Sequence, residues 1–237
     1  MLRVGVDLMS VSRFARIAEH HRYRALVFTE SELGEAGQPG SERYLERLAG
    51  RFCVKEATCK LLGRGFGQGL RWSDIEVGTD AWGAPAVTLY GGARRLADQA
   101  GVREIAVTLA HQVDLAVAVA AADHDRLPAP YRAESREDAE DTACADLDDV
   151  AHVAAEVFGA RADQVSAAGS FAGDLGVTSV LTIELLARLE EHYGVRIPEP
   201  DFYRMTDLPG TRRAVARATE PLNLAHPKGT RWTVSAY

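Results

Sequence analysis

Cysteine is scarce in this chain of 237 residues: Cys53, Cys59 and Cys144 are odd in number and lack paired metal-ligand spacing. That excludes a disulfide framework and a zinc site as organising features, so the three read as small packing residues. Long apolar runs are missing as well. No stretch of about eighteen apolar residues is present to span a bilayer, and the opening MLRVGVDL enters strand-like alternation without the basic segment and apolar core of a signal peptide. A cytoplasmic protein with no membrane attachment is expected. Clustered basic charge is absent too, which argues against nucleic acid as a partner, since displacing counterions from phosphates needs grouped Lys and Arg.

The charge that is present is uneven. Lys and Arg number 27 against 34 Asp and Glu, a net −7. Residues 1–122 are almost neutral, with fifteen basic and fourteen acidic side chains, whereas residues 123–146 carry three basic and eight acidic groups and residues 147–220 carry seven and twelve. A neutral unit thus precedes an acidic one, suited to an arginine-bearing partner. An apolar share of 46% is ample for buried cores.

The first unit reads as mixed α+β. Leu2, Val4, Val6 and Leu8 alternate with Arg3, Gly5 and Asp7, the period of a half-buried strand whose apolar side faces the core and whose Asp7 faces away. Ser10 or Ser12 caps a helix through Phe14, Ile17 and Ala18, and a Gly- and Pro-bearing loop leads to Ser41. A long helix follows with the stripe Leu45, Leu48, Ala49, Phe52 and Cys53, ending near Gly63. Strands at 75–77 and 86–89, a short helix at 93–100 and strands through Ile105–Leu109 and Leu115–Val119 complete the unit. The segment 123–146 holds two prolines and almost no large apolar residue, so it reads as a linker. Val150, Val153, Val157 and Phe158, then Ser179 through Ile183, Leu186, Leu189 and Tyr193 to Gly194, make two helical stripes of a small bundle over 147–220. The tail 221–237 has no period.

Glu56 and Lys60 are out of place, because they continue the apolar stripe of the long helix after Phe52. Four residues apart, they share a face, and an i,i+4 ion pair is the plainest reading of them. The ordered segments GVDLMSVSRF, FTESEL, RFCVKEATCKLLG, WSDIEV with GAPAVTL, and VTLAHQVDLAVAVA resemble, over residues 1–122, the holo-acyl-carrier-protein synthases. These are 4′-phosphopantetheinyl transferases that use coenzyme A and magnesium. The resemblance implies an antiparallel sheet with a long helix, Asp7 and Glu56 as magnesium ligands, Lys60 and His111 beside the coenzyme A pyrophosphate, and a homotrimer with sites between subunits. Glu56, directly or through a bound water, would take the proton of the attacking serine, and Lys60 with His111 would stabilise the leaving diphosphate. Ala110 stands where the family has Ser or Thr before the histidine. Arg64, in the glycine-flanked GRGFGQG, is a candidate for a coenzyme A phosphate.

Residues 147–218 resemble acyl carrier proteins through FAGDLGVTSVLTIELLARLEEHYGVRIPE. That resemblance implies an all-α four-helix carrier bundle with phosphopantetheine attached covalently to Ser179, a serine at a helix start where the helix dipole favours phosphate. Thr178 and Val180 depart from the family's Asp before and Leu after this serine. The missing aspartate would face an arginine of the synthase, for which Arg13 is the match. A linker of 24 residues has a root-mean-square reach of roughly 25–30 Å, which permits loading in cis or on a neighbouring subunit. The reading is an enzyme that loads its own Ser179, and free carrier proteins, for fatty-acid or polyketide synthesis. Its alternative is a weakly active or inactive transferase-like trimeric scaffold that presents tethered carrier domains to a synthase.

Overall fold

The computed structural model describes residues 1–128 and 149–220. The N-terminal unit runs β1 (Leu2–Ser10), α1 (Val11–Ala18), α2 (His21–Val27), α3 (Glu30–Ala36), α4 (Glu42–Leu62), β2 (Ile75–Thr79), β3 (Pro85–Leu89), α5 (Gly91–Ala100), β4 (Ala106–Gln112) and β5 (Leu115–Asp123). The C-terminal unit is helical: α6 (Asp149–Phe158), α7 (Ala162–Ala167), α8 (Phe171–Leu175), α9 (Ser179–Tyr193), α10 (Glu199–Phe202) and α11 (Leu208–Thr219). Among the described residues, no helix is long and apolar enough to cross a membrane.

The main sheet has the order β1-β5-β4, antiparallel throughout, with Asp7 opposite Ala118; β2 and β3 form a separate hairpin. Helix α4 packs across the main sheet. The face of β1 that meets it is the reverse of the expected one: Leu2, Val4, Val6 and Leu8 are exposed, while Gly5 and Met9 are buried and Asp7 is half-buried. The reason is close approach. A Cβ on Gly5 would overlap the Ala57 carbonyl and stand 2.7 Å from Leu61 N, so a residue without a side chain is needed where backbone meets backbone.

Local signals account for most boundaries. Ser10 caps α1 by accepting from Arg13 N at 3.2 Å, Ser41 caps α4 by accepting from Tyr44 N at 3.2 Å, and Gly63 closes α4 in the left-handed conformation. The loop expected before Ser41 instead contains α2 and α3, the latter opened by a Thr29–Glu32 capping box. Glu32 also forms a fully buried ion pair with Lys55 of α4 at 2.9 Å, and it accepts from Val77 N at 2.9 Å. Lys55 Nζ in turn donates to the carbonyls of Trp72 and Ile75, so this one cluster fixes α3, α4 and the approach to β2.

The expected linker begins too early. Strand β5 runs to Asp123, His124 N donates to Met1 O at 2.9 Å, and Asp125 N donates to Ala100 O at 2.9 Å. The rest of that linker from residue 129, and the tail 221–237, lie outside the described residues. Both cysteines that are described, Cys53 and Cys59, are buried free thiols, in keeping with packing roles.

Candidate active site

Asp7, Glu56, Lys60 and Arg13 line one hollow together with Thr178 and Ser179 of the C-terminal unit. Strand β1 delivers Asp7 and helix α4 delivers Glu56 and Lys60, brought together by the contact at Gly5. The ion pair that forms differs from the i,i+4 reading: Lys60 Nζ donates to Asp7 Oδ1 and to Val6 O, each at 2.9 Å, and leaves Glu56 aside. Asp7 Oδ2 and Glu56 Oε1 are sealed from solvent without a hydrogen-bond partner. Two unpartnered carboxylate oxygens in one hollow are costly on their own and suit a hard divalent cation, which prefers oxygen ligands and completes its shell with water and substrate phosphate. Among the described residues no cluster of three or more His, Cys, Asp or Glu forms a closed metal cage.

Burial pushes the Glu56 carboxyl up to about 7; the nearby Ser179 hydroxyl opposes this, and the Asp7 charge adds to it. The Trp72 indole also pulls the value down, but Nε1 is itself short of a well-formed hydrogen bond, so its effect is that of a nearby N–H. Glu56 is therefore poised between acid and base near neutral pH, beside a serine hydroxyl. The neighbouring Cys53 thiol is buried, and its pKa is raised by that burial and by Asp7, which makes it a poor nucleophile.

Ser179 is the first residue of α9, with Thr178 at the N-cap making no side-chain cap. Its position one residue inside the helix start puts the hydroxyl where the amide dipoles favour phosphate. Beyond it lies a second hollow, walled by Gly65–Gln68 and Trp72 on one side and by Phe171, Phe202, Tyr203 and Met205 on the other. Arg13 lines the first hollow with Thr178, yet among the described residues no ion pair joins Arg13 to the C-terminal unit.

Two expected residues lie elsewhere. His111, at the end of β4, has Nε2 2.9 Å from Glu46 O and packs against Gly50, six residues before Glu56 and so about 9 Å back along α4. Within one chain it does not line the Asp7–Glu56 hollow, because its strand edge meets the first half of α4 at Glu46 and Gly50. Arg64 Nη1 points back to Gly63 O at 3.4 Å, and the residues after it pack on the C-terminal unit instead of lining the first hollow.

Comparison with known proteins gives this geometry its context. A family model described as the 4′-phosphopantetheinyl transferase superfamily matches residues 3–120, and one described as the phosphopantetheine attachment site matches residues 148–210. The holo-[acyl-carrier-protein] synthase of Moorella thermoacetica is 42% identical over 124 residues, which are 51% of this chain and 92% of that protein. The chain belongs to the holo-[acyl-carrier-protein] synthase family. The synthase of Desulforudis audaxviator is similar at 40% identity over 126 residues, covering 52% of this chain and 92% of its own. A solved structure titled as the Chronobacterium ammoniagenes ACPS-CoA complex aligns at 30% identity and a TM-score of 0.47, covering 53% of this chain and 99% of that one. The chain is thus a holo-acyl-carrier-protein synthase domain followed by a carrier domain. The motifs single out Asp7, Glu56 and Ser179, and the structure sets all three on one hollow. Sequence reasoning missed Gly5, Arg22 and Trp72, whose neighbours come from distant parts of the chain.

Proposed function

We propose that the synthase domain transfers 4′-phosphopantetheine from coenzyme A to Ser179 of its own carrier domain and to free carrier proteins, releasing 3′,5′-ADP. The observation that carries this reading is the meeting of Ser179 with Glu56 in the hollow that also holds Asp7 and Lys60. Glu56 removes the proton from Ser179 Oγ as that oxygen attacks the β-phosphorus of coenzyme A. The bond from this phosphorus to the bridging diphosphate oxygen breaks, and the electron pair leaves with 3′,5′-ADP. Lys60, held by Val6 O and Asp7, keeps an ammonium fixed where charge develops on the leaving phosphate. Asp7 and Glu56 would hold Mg2+, which when bound polarises the phosphate undergoing attack. The burial of both carboxylate oxygens without partners supports this assignment.

The exposed strip of Leu2, Val4, Val6 and Leu8 on β1 supports assembly of copies, and we read the protein as a homotrimer. His111, set away from the hollow of its own chain, then serves a site between copies, beside the coenzyme A pyrophosphate, where Arg64 is the further candidate. The convergence on Ser179 favours an active enzyme over a display scaffold. Release of 3′,5′-ADP from coenzyme A by the full-length protein tests the reading. Release should require magnesium and should be lost in Glu56→Gln with the fold retained; an active Glu56→Gln refutes the assignment.

A further inference from the structure

The carrier domain touches the synthase well beyond Ser179. Arg22 of α2 grips Glu190 near the end of α9 with both prongs, Nη2 to Oε1 at 2.5 Å and Nε to Oε2 at 3.1 Å, and Nη2 also donates to Ile197 O at 2.6 Å. Glu190 is already ordered within its own domain, because Ile197 N donates to Oε1 at 2.8 Å. The carboxylate is 8% exposed and the guanidinium 29%, so this pair is largely withdrawn from water, unlike the surface pairs of the carrier such as Arg188–Glu191. A second contact lies across the interface. Trp72 stacks on Phe202 with ring centres 5.6 Å apart and 25° between planes, and its backbone N–H donates to Tyr203 OH at 3.3 Å. The loop before it comes so close that a Cβ on Gly67 would overlap the Tyr203 carbonyl.

We infer that Arg22 together with the Gly67–Trp72 segment forms a docking surface for the chain's own carrier domain, which takes over the recognition that Thr178 no longer offers to Arg13. The occupant is identified by complementarity: a buried carboxylate near one end of α9, the aromatic pair Phe202 and Tyr203 at the end of α10 at the other contact, and Ser179 at the start of α9 in the hollow that holds Glu56. A carrier lacking a pre-ordered carboxylate at the position of Glu190 and aromatics at those of Phe202 and Tyr203 makes neither contact. The surface therefore favours self-loading over loading of added carriers. Gly67 of the GRGFGQG loop serves the same end, since its lack of a side chain permits the close approach to the Tyr203 carbonyl.

This inference rests on the proposed self-loading, and two readouts keep them apart. Single-turnover labelling of Ser179 in the full-length chain with a fluorescent coenzyme A reads loading; hydrogen exchange of residues 65–72 and 199–203 reads docking without turnover. Arg22→Ala is expected to slow labelling roughly ten- to hundredfold, the size of a bidentate charged contact, and to raise exchange in both segments. Arg22→Lys should fall between, keeping the charge but not the fork. Gly67→Ala, acting from the other contact, should give the same two changes. Arg22→Ala labelling within about twofold of wild type with unaltered exchange overturns the inference. A wild type that is never labelled, yet loses protection on Arg22→Ala, would sink the proposed function and leave the docking surface standing; exchange insensitive to Arg22 in such a protein sinks both.

Discussion

Replacing Gly5 by alanine tests how the site is assembled without touching any group that does chemistry. The added Cβ would overlap the Ala57 carbonyl and stand 2.7 Å from Leu61 N, both backbone atoms of a helix that cannot swing aside as a side chain can. Strand β1 must retreat from α4 by about 1 Å, and a misplacement of that size in a catalytic site costs on the order of a hundredfold in rate. Overpacking of this kind also destabilises by about 1–3 kcal/mol. Since Asp7 rides on β1 and Glu56 and Lys60 ride on α4, the retreat opens the distance between them while each side chain stays chemically intact. Single-turnover transfer and thermal melting, measured on the same preparations, should show both losses. Gly5→Ala with wild-type rate and stability would refute the claim that this contact sets the carboxylate geometry.

The raised Glu56 carboxyl makes a stability prediction of definite sign. Its folded value near 7 lies above the ordinary 4.5, so the folded state holds this proton more tightly. The resulting stabilisation is complete below about pH 4.5 and is lost as pH rises to 7, by up to ~3 kcal/mol. In chelator-treated protein, wild type should therefore lose stability relative to Glu56→Gln across that window, and parallel melting curves would contradict the burial argument. Thr178→Asp places a carboxylate in the hollow that Arg13 lines. Loading of Ser179 should rise several-fold at low salt and the gain should fade at high salt, the signature of a partly exposed pair; a salt-independent gain would mean that Arg13 is not the partner.

The parts of this protein that local sequence carries were legible before any coordinates. The cap at Ser10, the stop at Gly63 and the stripes of α4, α6 and α9 agree with the structure, which also sets Asp7, Glu56, Lys60 and Ser179 on one hollow. The failures share a cause. Alternation in β1 gives its period but not which face is packed, and that choice is made by α4 needing Gly5 against its backbone. Helices α2 and α3 are each seven residues long and too short for a periodic signal; α3 is held by Glu32 to Lys55, 23 positions away. The Arg22–Glu190 grip joins residues 168 apart, which no local pattern announces. His111 meets Glu46 O across 65 positions, a packing partner that its motif does not announce.

The central claim is that the chain's own serine is carried to its own pair of carboxylates. Intact mass and peptide mapping of the full-length protein, after incubation with coenzyme A and magnesium, test it most directly. One phosphopantetheine should be added per chain, on Ser179, and Ser179→Ala should remain unmodified. An unmodified wild type, or a modification mapped to any other residue, would contradict the account.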